Sequence, residues 1–105
     1  MAADEAARAL LAALPAADPA AMLALADSFR GAAGAERFSI LCDRLAERIH
    51  ESATERALGG ERDGLDAWAE AFEFLAQLPG QVEAVNLDRG DAFFTALARL
   101  RAVAC

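Results

Sequence analysis

Apolar positions recur along this chain at intervals of three and four residues, and most of the charge lies between them. That period belongs to amphipathic helices. A first helix is predicted over residues 4–14, with Leu10, Leu11 and Leu14 on one side, acids in its first turn and Pro15 as its stop. Asp18-Pro19 then reads as an N-cap followed by a proline at the first helical position. The second helix carries Met22, Leu25, Ala26 and Phe29 at helical spacing and ends at Gly31, with residues 30–34 as a short loop. A third helix is predicted over about residues 35–58. Its stripe is Phe38, Leu41, Cys42, Leu45, Ile49 and Ala53, and charged residues fill most of the remaining positions. Ile40 and Leu58 sit roughly opposite that stripe, which a bundle with no outside partner does not explain.

After Gly59-Gly60, a fourth helix is expected behind Asp63 as N-cap. Leu65, Trp68, Phe72 and Leu75 follow the 3-4-3 spacing of a helix packed along its neighbours. Asp66, Glu70 and Glu73 face away. Phe74 lies about 140° from the centre of the seam at 100° per residue, so either a loop covers it or another protein uses it. Pro79-Gly80 predicts a kink or break, with residues 81–85 resuming a helical turn. Residues 86–88 change the chain direction, and Asp88 caps a last helix with Asp91 three residues on. Phe93, Leu97, Leu100 and Ala104 form its main stripe, flanked by Phe94 and Arg101 as a second contact edge.

The pattern gives an all-α fold, a single five-helix bundle over residues 1–105. A chain of this length buries roughly two-thirds of its unfolded surface. Composition tempers the apparent hydrophobicity: 29 of the 105 residues are alanine, a strong helix former and a weak core filler. The core therefore depends on Leu, Ile, Val, Met and seven aromatics.

Charge removes several functions. Ten arginines, no lysine and 17 acids leave a net charge of −7, which disfavours direct nucleic-acid binding and an anionic membrane surface. No apolar run approaches the ~20 residues of a membrane span, and Asp4 and Glu5 stand where a signal peptide would be basic. A cytoplasmic location is expected.

Catalytic patterns are missing. His50, the single histidine, lies among Glu47, Arg48 and Glu51 on a charged face. Cys42 and Cys105 have no metal partners at ligand spacing and suggest no disulfide framework. Gly31 and Gly34 join helices instead of opening a phosphate loop, and Asp66 and Glu70 have no accompanying base. Trp68 and Phe72 read as core. Neither an active site nor a cofactor is expected, which leaves a helical interaction domain.

The wording of residues 65–73, Leu-Asp-Ala-Trp-Ala-Glu-Ala-Phe-Glu, followed by Glu83-Ala84-Val85-Asn86-Leu87-Asp88-Arg89, resembles the carboxy-terminal region of bacterial DNA polymerase III delta-prime subunits. In that family a W-A-E-x-W/F-E helix is followed by E-A-x-N-L-D-R and a last helix. The Ala24-Leu25-Ala26-Asp27 run and the long helix after a glycine-containing loop are similar too, so the resemblance spans roughly residues 5–103. Its most specific part is Asn86–Arg89. Pro79-Gly80 departs from members whose helix runs straight through.

The resemblance implies the clamp-loader collar domain, with the two AAA+ modules lying outside this chain. It implies no ATP or zinc binding here, and partners in the collars of the delta and gamma/tau subunits, joined in a ring that holds the loader together in DNA replication. The residues expected at subunit-facing surfaces are Ile40, Phe74 and Phe94, with Arg48 and Arg101 beside them. A freestanding helical adaptor or dimerisation module is the alternative, distinguished by whether AAA+ sequence precedes this region in the gene. An enzyme or ligand carrier would need convergent polar groups that the apolar seams do not supply.

Overall fold

The computed structural model describes residues 5, 9, 10, 18–60 and 64–104. Among the described residues four complete helices follow one another: α1 (Pro19–Asp27), α2 (Gly31–Leu58), α3 (Leu65–Ala84) and α4 (Arg89–Ala104). No strand occurs among the described residues. The all-α expectation holds. Of the predicted first helix, Glu5, Ala9 and Leu10 are helical and Leu10 is buried; its remainder lies outside the described residues. The most extensive packing is between α2 and α3, with α4 against α3 and α1 against α4.

Each helix contributes the face its spacing offers. From α2, Phe38, Leu41, Cys42, Leu45 and Ile49 are buried as the stripe predicts. From α4, Phe93, Leu97 and Leu100 join Ala92 and Ala96. Phe29, in the turn after α1, sets its ring edge-on to Phe38 at 5.2 Å and to Phe93 at 5.4 Å. Two helices and the turn after α1 thus meet at one aromatic cluster, where each such pair adds about 0.5–1.5 kcal/mol beyond the area it buries. No side-chain nitrogen or oxygen among the described residues is buried without a partner.

Local signals start and stop the helices. Asp18 Oδ1 accepts from the Ala20 amide at 3.3 Å, with Pro19 in the first turn of α1. Asp88 Oδ1 accepts from the Asp91 amide at 3.0 Å and caps α4. Both caps are those predicted. The expected Asp63 cap lies outside the described residues; Gly64 occupies the cap position.

Three expectations need correction. Of the loop predicted over residues 30–34, residues 31–34 are helix: α1 ends at Asp27, the turn is Ser28–Arg30, and α2 begins at Gly31. Gly31 adopts φ 77°, which glycine reaches without strain. Gly34 lies so close beneath Phe29 that a Cβ there would overlap the Phe29 carbonyl. These glycines let α2 start directly under the preceding turn; they do not unwind it.

The seam of α3 also differs. Its buried residues are Trp68, Ala71, Leu75, Leu78 and Val82, while Leu65 and Phe72 are half-buried. Alanine at 71 allows a close approach, so the helix turns Ala71 inward and Phe72 toward the edge.

Finally, α3 does not break at Pro79. It continues to Ala84 although proline has no N–H to donate to the Leu75 carbonyl. The 3-4-3-4 run from Trp68 to Val82 passes straight across the proline. Burial of Leu78 and Val82, each worth about 1.5–3 kcal/mol, offsets the missing hydrogen bond.

Candidate functional site

Where α3 hands the chain to α4, the run Asn86-Leu87-Asp88-Arg89 builds a corner. Asn86 is left-handed at φ 58°, and the Leu87 amide reaches back to the Val82 carbonyl at 3.0 Å. Together these form a Schellman-type ending that satisfies a free carbonyl of α3. Asp88 then caps α4 as described.

Arg89, the first residue of α4, fixes this corner to the rest of the fold. Its Nε donates to Glu83 Oε1 at 2.8 Å, and its Nη1 donates to the carbonyls of Phe29 and Gly31, each at 2.9 Å. One guanidinium therefore ties the end of α3 to the turn between α1 and α2. The Arg89 hydrogen bond holds the Glu83 carboxyl below the ordinary carboxylate range, and the same bond raises the guanidinium above its own.

Around this corner lies an open groove of about 430 Å³, walled by α1, the turn after it, the 86–88 segment and the start of α4. Leu23, Leu87 and Phe94 line it and stay 56%, 54% and 40% exposed. Three large apolar side chains from three segments converge on one surface depression. Acidic Asp27, Glu83, Asp88 and Asp91 border them, with Arg30 and Arg89.

Of the residues expected at an interface, Phe94 is the one in this groove. Ile40 lies elsewhere, half-buried in a second groove between α2 and α3 with Phe72, Ala76 and Arg44. Phe74 is half-buried against the core, and Arg99 of α4 stacks over its ring at 4.2 Å. The cover that the sequence left open is thus supplied by a helix. Arg48 is ion-paired to Glu51 at 3.0 Å. Arg101 is exposed in the last turn of α4. Ile40 and Phe94 thus line two separate grooves.

Leu23 and Leu87 are not among the residues expected at an interface. Leu23 lies about 100° off the Met22–Phe29 stripe of α1, a visible signal. Leu87 follows the Schellman turn, where an apolar residue usually folds back on its helix; here more than half of it stays in solvent.

Among the described residues no group of His, Cys, Asp or Glu is arranged to hold a metal ion. Cys42 is buried, and burial together with neighbouring Asp43 pushes its thiol up to about 12, away from nucleophilic chemistry. His50 rests near the Phe72 ring at 5.5 Å. No helix among the described residues is long and apolar enough to cross a membrane. Comparison of the chain with protein-family models, with curated proteins and with solved structures finds no match.

Proposed function

We propose that this chain is a protein-interaction domain that serves as a scaffold in a larger assembly. The observation that carries this reading is the convergence of Leu23, Leu87 and Phe94 on the corner groove. A concentration of apolar surface rimmed by charge is the usual mark of a contact site. The resemblance of residues 65–89 to delta-prime subunits gives the assembly its name. On that basis the domain is a clamp-loader collar, associating with the collars of the delta and gamma/tau subunits.

The resemblance is strongest at Asn86–Arg89, and those residues build the corner that positions Leu87 and the start of α4. A motif that shapes a binding surface is one that a family of scaffolds would share. The test mixes the chain with delta and gamma/tau collar domains and follows them by size-exclusion chromatography with light scattering. Stoichiometric co-elution that Phe94→Asp abolishes supports the assignment. Separate elution of all three refutes it.

A further inference from the structure

The corner groove carries information about its occupant in its rim. Four carboxylates (Asp27, Glu83, Asp88, Asp91) stand against two guanidinium groups, so the depression holds a surplus of two negative charges. The cations do not extend this balance outward. Arg89 directs its donors inward, to Glu83 and to the Phe29 and Gly31 carbonyls. Arg30 pairs with Asp27 at 3.5 Å across solvent, a contact that water and salt screen heavily. Asp91 forms no ion pair among the described residues and sits in the exposed first turn of α4.

An apolar floor with an acidic rim selects by charge. A second copy of this chain, at net −7, would bring acid against acid. Nucleic acid is repelled for the same reason. We propose that the groove receives an amphipathic segment of a partner protein whose apolar anchors are flanked by lysine or arginine. The anchors meet Leu23, Leu87 and Phe94, and the flanking cations meet Asp27 and Asp91. This deepens the scaffold reading and rests on it: it names the chemistry of the partner's docking segment.

The probe is a synthetic amphipathic helical peptide, labelled for fluorescence anisotropy, with leucines at i, i+4 and i+7 flanked by lysines and arginines. Its control keeps the leucines and replaces every cation by glutamate. The cationic peptide is expected to bind about tenfold or more tightly than the control, and to weaken as salt shortens the screening length. Phe94→Asp should remove binding. Asp27→Arg should weaken it about tenfold while suiting the negative end of the α1 dipole, so circular dichroism stays unchanged.

Equal binding of both peptides, binding of neither, or indifference to both substitutions overturns the proposal. So does a dimer of the chain itself that Phe94→Asp dissolves. Collar co-elution without binding of the cationic peptide overturns the groove proposal and leaves the clamp-loader reading standing. Peptide binding without co-elution does the reverse.

Discussion

Arg89 shows how a single side chain can decide a surface. Its partners lie 6, 58 and 60 residues away in sequence, so the link it makes cannot be read from local pattern. The depressed carboxyl of Glu83 makes part of that link sensitive to acid. A carboxyl whose folded value is lowered stabilises the fold above its ordinary value of 4.5 and loses that contribution as pH falls below it. Arg89, raised by its hydrogen bond to Glu83, stays charged across that window. Urea midpoints of the parent chain should therefore exceed those of Glu83→Gln at pH 7, with the gap closing as the solution is acidified. A gap independent of pH would mean that the charge of Glu83 contributes nothing. Glycines give a second residue-scale contrast. Gly34→Ala drives a methyl into the Phe29 carbonyl and should cost about 1–3 kcal/mol. Gly80→Ala adds a methyl in open space within a helix and should stabilise by about 0.5–1 kcal/mol. Chemical denaturation of both variants checks the opposite signs.

Among the elements, α3 is where sequence logic and packing disagree most. Pro79-Gly80 is a strong local breaker, yet Leu78 and Val82 on either side are buried, only 5% and 1% exposed. Restoring the amide in Pro79→Ala should stabilise the chain by about 1–3 kcal/mol with little change in helical content. A large gain in helicity would instead mean that the segment after Pro79 is frayed in solution. The 3-4-3-4 run that carries α3 past the proline is present in the sequence, but Ala71 is too small to announce itself as core beside Phe72. The stripes of α2 and α4, and the Asp18 and Asp88 caps, were legible because large apolar residues and capping carboxylates have few alternative uses. The early start of α2 was not, because glycine reads as loop until the Phe29 carbonyl above Gly34 is known. Phe94 stood out as an apolar residue off its stripe. Its convergence with Leu23 and Leu87 needed the tertiary fold, since no spacing relates positions 23, 87 and 94.

For the whole molecule, stability and contact fall on different residues. The Phe29–Phe38–Phe93 cluster ties together the turn after α1, α2 and α4, and Phe29→Ala should cost about 3–5 kcal/mol. Phe94, 40% exposed one residue from Phe93, should tolerate Asp within about 1 kcal/mol while losing its role in binding. Thermal unfolding of the two variants beside an association assay separates these roles. If Phe94→Asp unfolds the chain, its ring belongs to the core and the groove is not a docking surface. The acidic surface adds a solution property: mixed partners should associate more weakly as salt rises, because exposed charges more than about 8–10 Å apart are screened at 0.1–0.15 M.

The 28 residues of α2 span about 42 Å at 1.5 Å each, nearly the full 44 Å of the molecule's long axis. One unbroken rod thus runs from the corner groove at Gly31 to Leu58, 84% exposed at the far end. Whatever docks at either tip is held at a fixed separation and a fixed angle, as by a strut with a keyed end. Inserting one residue midway along α2 would lengthen that strut by only about 1.5 Å but would turn one tip against the other by about 100°. Orientation, far more than reach, is what this helix transmits.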